Sequence, residues 1–341
     1  MRSWKDELNE RIELLDNKIT EVKEYVNELS EIKKSVSELN EHLVHIRHML
    51  TRMEINENSV IDSYKQINII EPLYTILSYI NNQQLMSSYP DLMSDARYQK
   101  YSKLMECLEV YEILDNHRII HIGTDADGGY LVVDNFDRYS NKILYAMGVG
   151  GDVSFEEDMA NRGFQAFMYD HTVDDTPSHH DNFHFFKKGL IGHHDDKQPE
   201  LLTLEEMLNA NGHMEEKDIF FKCDIEGYEI DVLNETPSEI LNKFTEVVME
   251  LHGLSDYSRL DDIISALEKL NKTHRLIHVH PNNISRVINI GNLAISDCIE
   301  VTYVRRADYN CTKISKYTSG GGDFPCSSRY PERLFYYPVK R

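Results

Sequence analysis

The chain has 341 residues, 41% of them apolar and 28% charged, which is enough for one large or two modest domains with a buried core. A formal charge of -22 argues against a nucleic-acid partner, because such binding draws most of its affinity from Lys and Arg at phosphates; a small anionic ligand needs only a few local cations. No apolar run reaches the ~18 residues of a membrane span and no apolar signal core follows Met1; with five cysteines (Cys107, Cys223, Cys298, Cys311, Cys326) lacking metal-ligand pairing, a cytoplasmic protein with reduced thiols is expected.

Leu8, Ile12, Leu15, Ile19, Val22, Val26 and Leu29 alternate steps of four and three, and the alternation restarts at Ile32 and runs through Val36, Leu39, Leu43, Ile46, Leu50 and Met53. This is a heptad seam with a three-residue stammer, so residues 1–54 are expected to form a coiled-coil helix whose seam, Leu8 to Met53, spans about 70 Å. Such a stripe either pairs with a second copy, the preferred reading and the basis for expecting a homo-oligomer, or folds back on its own domain. Helical patterning continues over Ile69–Ile80 and from Tyr98 to Leu114, broken by Pro72 and Pro90, and predicts a helical connector over 55–117. A domain covering 118–341 follows.

Arg118–Gly123 and Gly129–Val133 read as a strand pair around an Asp127-Gly128-Gly129 turn, with Asp127 and Tyr130 either turn and packing residues or part of a pocket lining. From Lys142 strands and helices alternate, which calls for a mostly parallel sheet with helices on both faces. Strands are expected at 142–147, 165–170, 182–188, 218–224, 245–251, 275–280 and 298–305, and Ser258–Leu270 is an amphipathic helix between two of them. The first strand runs into Gly148-Val-Gly150-Gly151, and Ser154 opens a helix as N-cap with Glu157 in the capping-box position. The second strand ends at Asp170, about twenty residues beyond the first glycine, where a carboxylate reaches both hydroxyls of a ribose. Strand, glycine turn, helix and acid suit a dinucleotide or S-adenosylmethionine.

The fourth strand ends in Lys222-Cys-Asp224-Ile-Glu226-Gly227-Tyr228-Glu229. In an open α/β sheet ligands bind beyond the strands' carboxyl ends, which puts Asp224 and Glu226 at a site; the plain alternative is a helix N-terminus that favours acids. Glu250 and His252 close the fifth strand, and His278 and His280 share one face of the sixth. The runs His179–Asp181 and His193–Asp196 read as exposed loop, and Thr318–Tyr330, rich in Gly and Pro, as an irregular closing loop or lid.

The run from Tyr145 to Asp170 and the Lys222–Glu229 segment resemble FkbM-type S-adenosylmethionine-dependent methyltransferases and related methyltransferase-like proteins with an upstream Asp-Gly-Gly-Tyr element, here Asp127–Tyr130. Thr203–Leu208, Val247–Gly253 and His278–Asn283 extend the resemblance over roughly 118–306, and the acidic-glycine-tyrosine segment is its most specific part. One departure is the lack of an acidic residue before Gly148, where the family usually carries one. The resemblance implies a seven-stranded Rossmann-like class I methyltransferase domain whose last strand is antiparallel, preceded by the coiled coil and connector. It implies S-adenosylmethionine as cofactor: Gly148, Gly150 and Gly151 against its methionine moiety, Asp170 on the ribose, His171 or residues near Leu190 and Ile191 beside the adenine, and Asp127 with Tyr130 lining the pocket. The implied reaction is O-methylation of a small acceptor, a sugar or sugar nucleotide.

Methyl transfer needs a positioned acceptor and a base at the strand ends. His252 is the preferred base, with Asp224 positioning it; Glu226, Glu250 and His280 are the further candidates. Alternatively Asp224, Glu250, His252 and His280 hold a divalent metal, as in some sugar and macrolide methyltransferases. Two other classes stay open: a nicotinamide-dependent oxidoreductase using the same glycine loop, and a catalytically silent coiled-coil scaffold.

Overall fold

The computed structural model describes residues 95–341 apart from 291–292, 316, 320–321, 331–332, 334 and 338–341. The expected coiled coil over 1–54 and the connector as far as residue 94 lie outside the described residues.

Seven strands form one sheet: β4 (Ile143–Met147), β5 (Gln165–Tyr169), β6 (Phe183–Phe186), β9 (Ile219–Cys223), β10 (Phe244–Leu251), β11 (His274–Pro281) and β14 (Ile299–Arg305), in the order β11-β14-β10-β9-β4-β5-β6. They coincide with the seven strands read from sequence. The pairs from β6 across to β10 are parallel, whereas β14 lies antiparallel between β10 and β11. Every residue of β4, β9, β10 and β14 is buried, including the charged Lys222, Glu246, Glu250, Glu300 and Arg305, as strands covered on both faces are.

Several short helices cover the faces: α1 (Ala96–Cys107), α2 (Ser154–Asn161), α3 (Leu204–Ala210), α4 (Glu229–Glu235), α5 (Ser238–Leu241) and α6 (Leu260–Thr273). In α6, Leu260, Ile263, Ile264, Ala266, Leu267 and Leu270 recur at three and four residues and form the buried stripe. Asp95 caps α1 through the amides of Arg97 and Tyr98, and α1 lies along α6, where Asn271 Nδ2 donates to the Cys107 carbonyl at 2.8 Å. The helical pattern expected to reach Leu114 stops at Cys107. Tyr111–Ile113 is strand β1 instead, because Cys311–Lys313 (β15) offers an edge for antiparallel pairing, which outweighs local helix propensity.

The expected hairpin is present: β2 (Ile119–Ile122) pairs with β3 (Tyr130–Val133), and β3 is buried throughout. It is pinned to the sheet by the Val133 amide donating to Glu246 Oε1 at 2.8 Å and by Thr302 Oγ1 donating to the Leu131 carbonyl at 2.6 Å. The capping box expected at Ser154 does not form. Ser154 is already the first helical residue; its Oγ donates to Asp152 and accepts from the Thr124 amide, and Glu157 accepts from Ser178 Oγ instead. A complete capping box stands at α3, between Thr203 and Glu206.

Candidate active site

The chain leaves β4 for β5 and β6 on one side, then crosses to β9 on the other, so the strand order reverses between β4 and β9. A crevice opens at such a point, beyond the strands' carboxyl ends. Gly148 sits in it with φ +78°, and a Cβ there would lie 1.6 Å from the Asp224 carbonyl oxygen, so only glycine lets these two strand ends close together. Gly150, with φ +56°, and Gly151 face open space.

Asp170 braces this loop. Its Oδ2 accepts the amides of Val149 and Gly150 at 2.9 and 3.1 Å, and its Oδ1 accepts the Thr172 amide and hydroxyl at 2.7 and 2.6 Å. Burial alone would raise its pKa, but the bonds from Thr172, Gly150 and Val149 outweigh that and hold the carboxylate ionised. A carboxylate has about four acceptor sites, and here all are used. His171 packs on Gly189, where a Cβ would meet its Nδ1 at 2.5 Å, beside the buried Leu190.

Across the β4–β9 seam lies a cluster of acids. Glu229, at the start of α4 and fully buried, accepts the amides of Ile225 and Gly227 and holds the turn in which Glu226 takes φ +57°. Its Oε1 also faces His252 Nδ1 at 3.3 Å, while His252 Nε2 faces Glu250 Oε2 at 3.4 Å and Glu226 Oε2 at 3.6 Å. Burial opposes a charged ring, yet hydrogen bonds to Glu229 and Glu250 push His252 up to about 11. At neutral pH it is a cation with no lone pair to receive a proton. Glu250 is held low despite its burial by bonds from His252, Cys298 Sγ at 2.9 Å and Asn282 Nδ2 at 2.7 Å. Asp224 moves the other way: burial, then the Glu250 charge, raises it, and its buried Oδ1 has no hydrogen-bond partner among the described residues.

The cluster continues across the sheet in register. Glu250 on β10 stands opposite Glu300 on β14, and Glu300 opposite His280 on β11, whose Nδ1 lies 2.6 Å from Glu300 Oε2. Burial pushes Glu300 up to about 7, against the pull of His280. From the hairpin turn Asp127 reaches this row, with carboxylate oxygens of Asp127, Glu250 and Glu300 all within 4.8 Å of one another. Gly128 next to it approaches the glycine loop, a Cβ there lying 3.4 Å from Asp152 Oδ1. Below, Lys222 and Glu156 form a buried pair at 2.8 Å, with the Lys222 ammonium 5.8 Å from the ring centroids of Tyr130 and Phe155.

Of the residues singled out by sequence, Asp127, Tyr130, Asp224, Glu226, Glu250, His252 and His280 share this acidic cluster, and Gly148, Gly150, Gly151, Asp170 and His171 share the glycine-loop side. The two groups meet at the Gly148–Asp224 contact. His278 stands apart, bound to Asp323 and to the Tyr317 hydroxyl, each at 2.7 Å. The runs at His179–Asp181 and His193–Asp196 lie at the surface as expected, and His194 there pairs with Asp196 and Glu206. Sequence reasoning gave no role to Glu300, Glu229, Cys298 or the Lys222–Glu156 pair. The signal available was a charged residue inside an otherwise apolar strand, as at Lys222 and Glu300, since such residues are buried only when partnered.

No protein with a curated description matches the chain significantly. A solved structure of a protein assigned as an rRNA-methylase, from Clostridium thermocellum, is similar over 48% of this chain and 87% of its own, with 10% identity and a TM-score of 0.27. The family model described as Methyltransferase FkbM domain matches residues 119–276, a span running from the hairpin to the first residues of β11 and holding every cluster residue named above except His278, His280, Asn282, Cys298, Glu300, Tyr317 and Asp323. Residues 119–276, somewhat less than half of the chain, are therefore what is similar to the methyltransferase FkbM domain.

Proposed function

We propose that the protein transfers a methyl group from S-adenosylmethionine to a hydroxyl of a small acceptor, a sugar or sugar derivative, with Asp224 as the base. One observation carries the reading: the glycine loop and Asp224 are in backbone contact at the point where strand order reverses. The residues present fit the cofactor, because Gly150 and Gly151 front open space and their loop is held by Asp170. S-adenosylmethionine would supply an electrophilic methyl carbon on a sulfonium that departs as a neutral thioether.

The chain's own residues then divide the work. Gly148–Gly151 and Asp170 form the cofactor cradle, with His171 and Leu190 at its adenine side. Asp170 acts by keeping the loop's amides in place, its acceptor sites being filled by them and by Thr172. Asp224 receives the acceptor's hydroxyl proton as that oxygen forms its bond to the methyl carbon. A carboxyl raised to about 8, ionised in a minor fraction at neutral pH and mostly so above pH 8, with one oxygen unpartnered among the described residues, suits that role better than an imidazole pushed up to about 11. His252 fixes the positions of Glu226, Glu229 and Glu250 around the base.

Calorimetry with S-adenosylhomocysteine and a screen of hydroxylated acceptors for S-adenosylhomocysteine release test this. The wild type binds S-adenosylhomocysteine, and Asp224→Asn keeps that affinity within about threefold while turnover falls by roughly 10²–10⁴. Binding of NADH in preference to S-adenosylhomocysteine, or an Asp224→Asn enzyme that turns over normally, would refute it.

A further inference from the structure

Lys222 is the charged residue of β9, and its ammonium is out of water. Its Nζ lies 2.8 Å from Oε1 of Glu156, in the first turn of α2, and 5.8 Å from the ring centroids of Tyr130 and Phe155. Burial opposes the charge, but Glu156 first, and then Asp224 and Asp152, raise the amine above the ordinary lysine range, so it stays protonated. Stability alone is a poor reason for such a pair, because apolar residues of similar volume often hold a fold as well or better.

A better reason stands two residues on. Side chains alternate between the faces of a strand, so Lys222 shares a face with Asp224, whose amide extends the strand by donating to the Met147 carbonyl at 3.0 Å. Tyr130 on β3 links the two, with the ammonium near its ring and the Asp224 charge acting on its hydroxyl. Facing Asp224 are Glu250 and His252 from β10 and its exit, Glu226 from the turn, Tyr130, Cys298 from the entry to β14 and the adjoining Cys223. Burial pushes Tyr130 and both thiols up, so they stay neutral. The positive charges that act on Asp224 are therefore those of Lys222 and His252. His252 is shared among Glu226, Glu229 and Glu250, whereas Lys222 bonds one acid, Glu156, which is not among the main charges acting on Asp224.

We propose that Lys222 is a positioning residue for the base: its buried ammonium is a fixed positive charge beside Asp224 that offsets the negative charge of Glu250 and makes the carboxylate form available to take the acceptor's proton. The charge relation stands on the geometry. Its service to catalysis rests on the reading of Asp224 as the base.

The titration of Asp224, followed by carboxyl ¹³C NMR on the full chain and assigned by its loss in Asp224→Asn, tests this. Lys222→Met alone would strand Glu156 without its cation, so the comparison uses the double variant Lys222→Met/Glu156→Gln, which exchanges the pair for neutral side chains of similar size. Wild type titrates at about 8. The double variant titrates about one pH unit or more higher, which leaves a roughly tenfold smaller ionised fraction at pH 7. With the acceptor found by the screen above, the acid limb of kcat/KM moves up by the same amount, while S-adenosylhomocysteine binds within about threefold of wild type. Lys197→Met, in an exposed loop, moves neither limb nor titration. Should the double variant fail to fold, Lys222→Gln, which keeps a donor toward Glu156, decides by the same titration. The proposal falls if Asp224 titrates in the neutralised variant as it does in wild type, whatever happens to stability or turnover. Methyl transfer with an unmoved Asp224 removes this inference alone; a shifted Asp224 in a protein that binds no S-adenosylhomocysteine removes the methyltransferase reading and leaves the charge relation.

Discussion

Glu246 and Glu250 lie four residues apart on the same strand, both buried, yet they carry opposite charge states. Near the amino end of β10, Glu246 has one oxygen on the Val133 amide and the other without a partner among the described residues, and burial pushes it up to about 8 against the weaker pull of that amide and of Arg138. Near the carboxyl end, Glu250 meets His252, Cys298 and Asn282, which overcome the same burial and keep it ionised. Burial by itself neutralises a carboxyl; the loops that follow β10, β11 and β13 (Leu293–Ser296) supply the donors that reverse it. The sheet thus keeps its charge at the end where the glycine loop and Asp224 stand.

Removing the cation is the strongest way to erase that contrast. His252→Gln leaves Glu229 and Glu250 buried without it, and breaking such a pair from one side typically costs about 3–5 kcal/mol. Urea denaturation at pH 7 measures this. A variant as stable as wild type would mean that Glu250 simply takes up a proton and that the two ends of β10 do not differ in kind.

Glu246→Gln probes the other end, and its effect has the opposite sign. A carboxyl raised from 4.5 to about 8 binds its proton more tightly when folded. Its contribution is therefore full below the unfolded value and is lost as pH rises through the folded one. A glutamine keeps the acceptor for Val133 and has no proton to lose. The variant should match wild type near pH 4.5 and exceed it by on the order of 2–4 kcal/mol at pH 8. Denaturation curves across that window check both the size and the trend; a gain independent of pH would place the ionised form of Glu246 in the native protein.

The contrast also explains what was legible in the sequence. All seven sheet strands were, because each is a short, predominantly apolar or aromatic run bounded by turn residues, and so were the glycine turn and the acids immediately after β9. The row Glu250–Glu300–His280 was not, since its members come from three strands paired across long stretches of chain, with a register shift between Leu276 and His278 that no local pattern encodes. Charge state was hidden for the same reason. His252 reads as a base in sequence and as a cation once Glu229, Glu226 and Glu250 surround it, and Asp170 reads as a free carboxylate until Thr172 and the glycine-loop amides fill it.

The finest division lies between the two neutral donors on Glu250 Oε1. Asn282 donates an amide N–H to a charged oxygen, a bond usually worth roughly 1.5–3 kcal/mol, and Asn282→Ala should cost in that range. Cys298 donates a thiol S–H, a weaker donor, and Asn282 would still satisfy the same oxygen in its absence, so Cys298→Ala should cost less than about 1 kcal/mol. Denaturation of both single variants and the double variant separates the terms, with a coupling expected because they share one acceptor. If Cys298→Ala proved the costlier of the two, packing around the thiol rather than its hydrogen bond would be holding this end of β10 together, and the charge on Glu250 would depend on His252 and Asn282 alone.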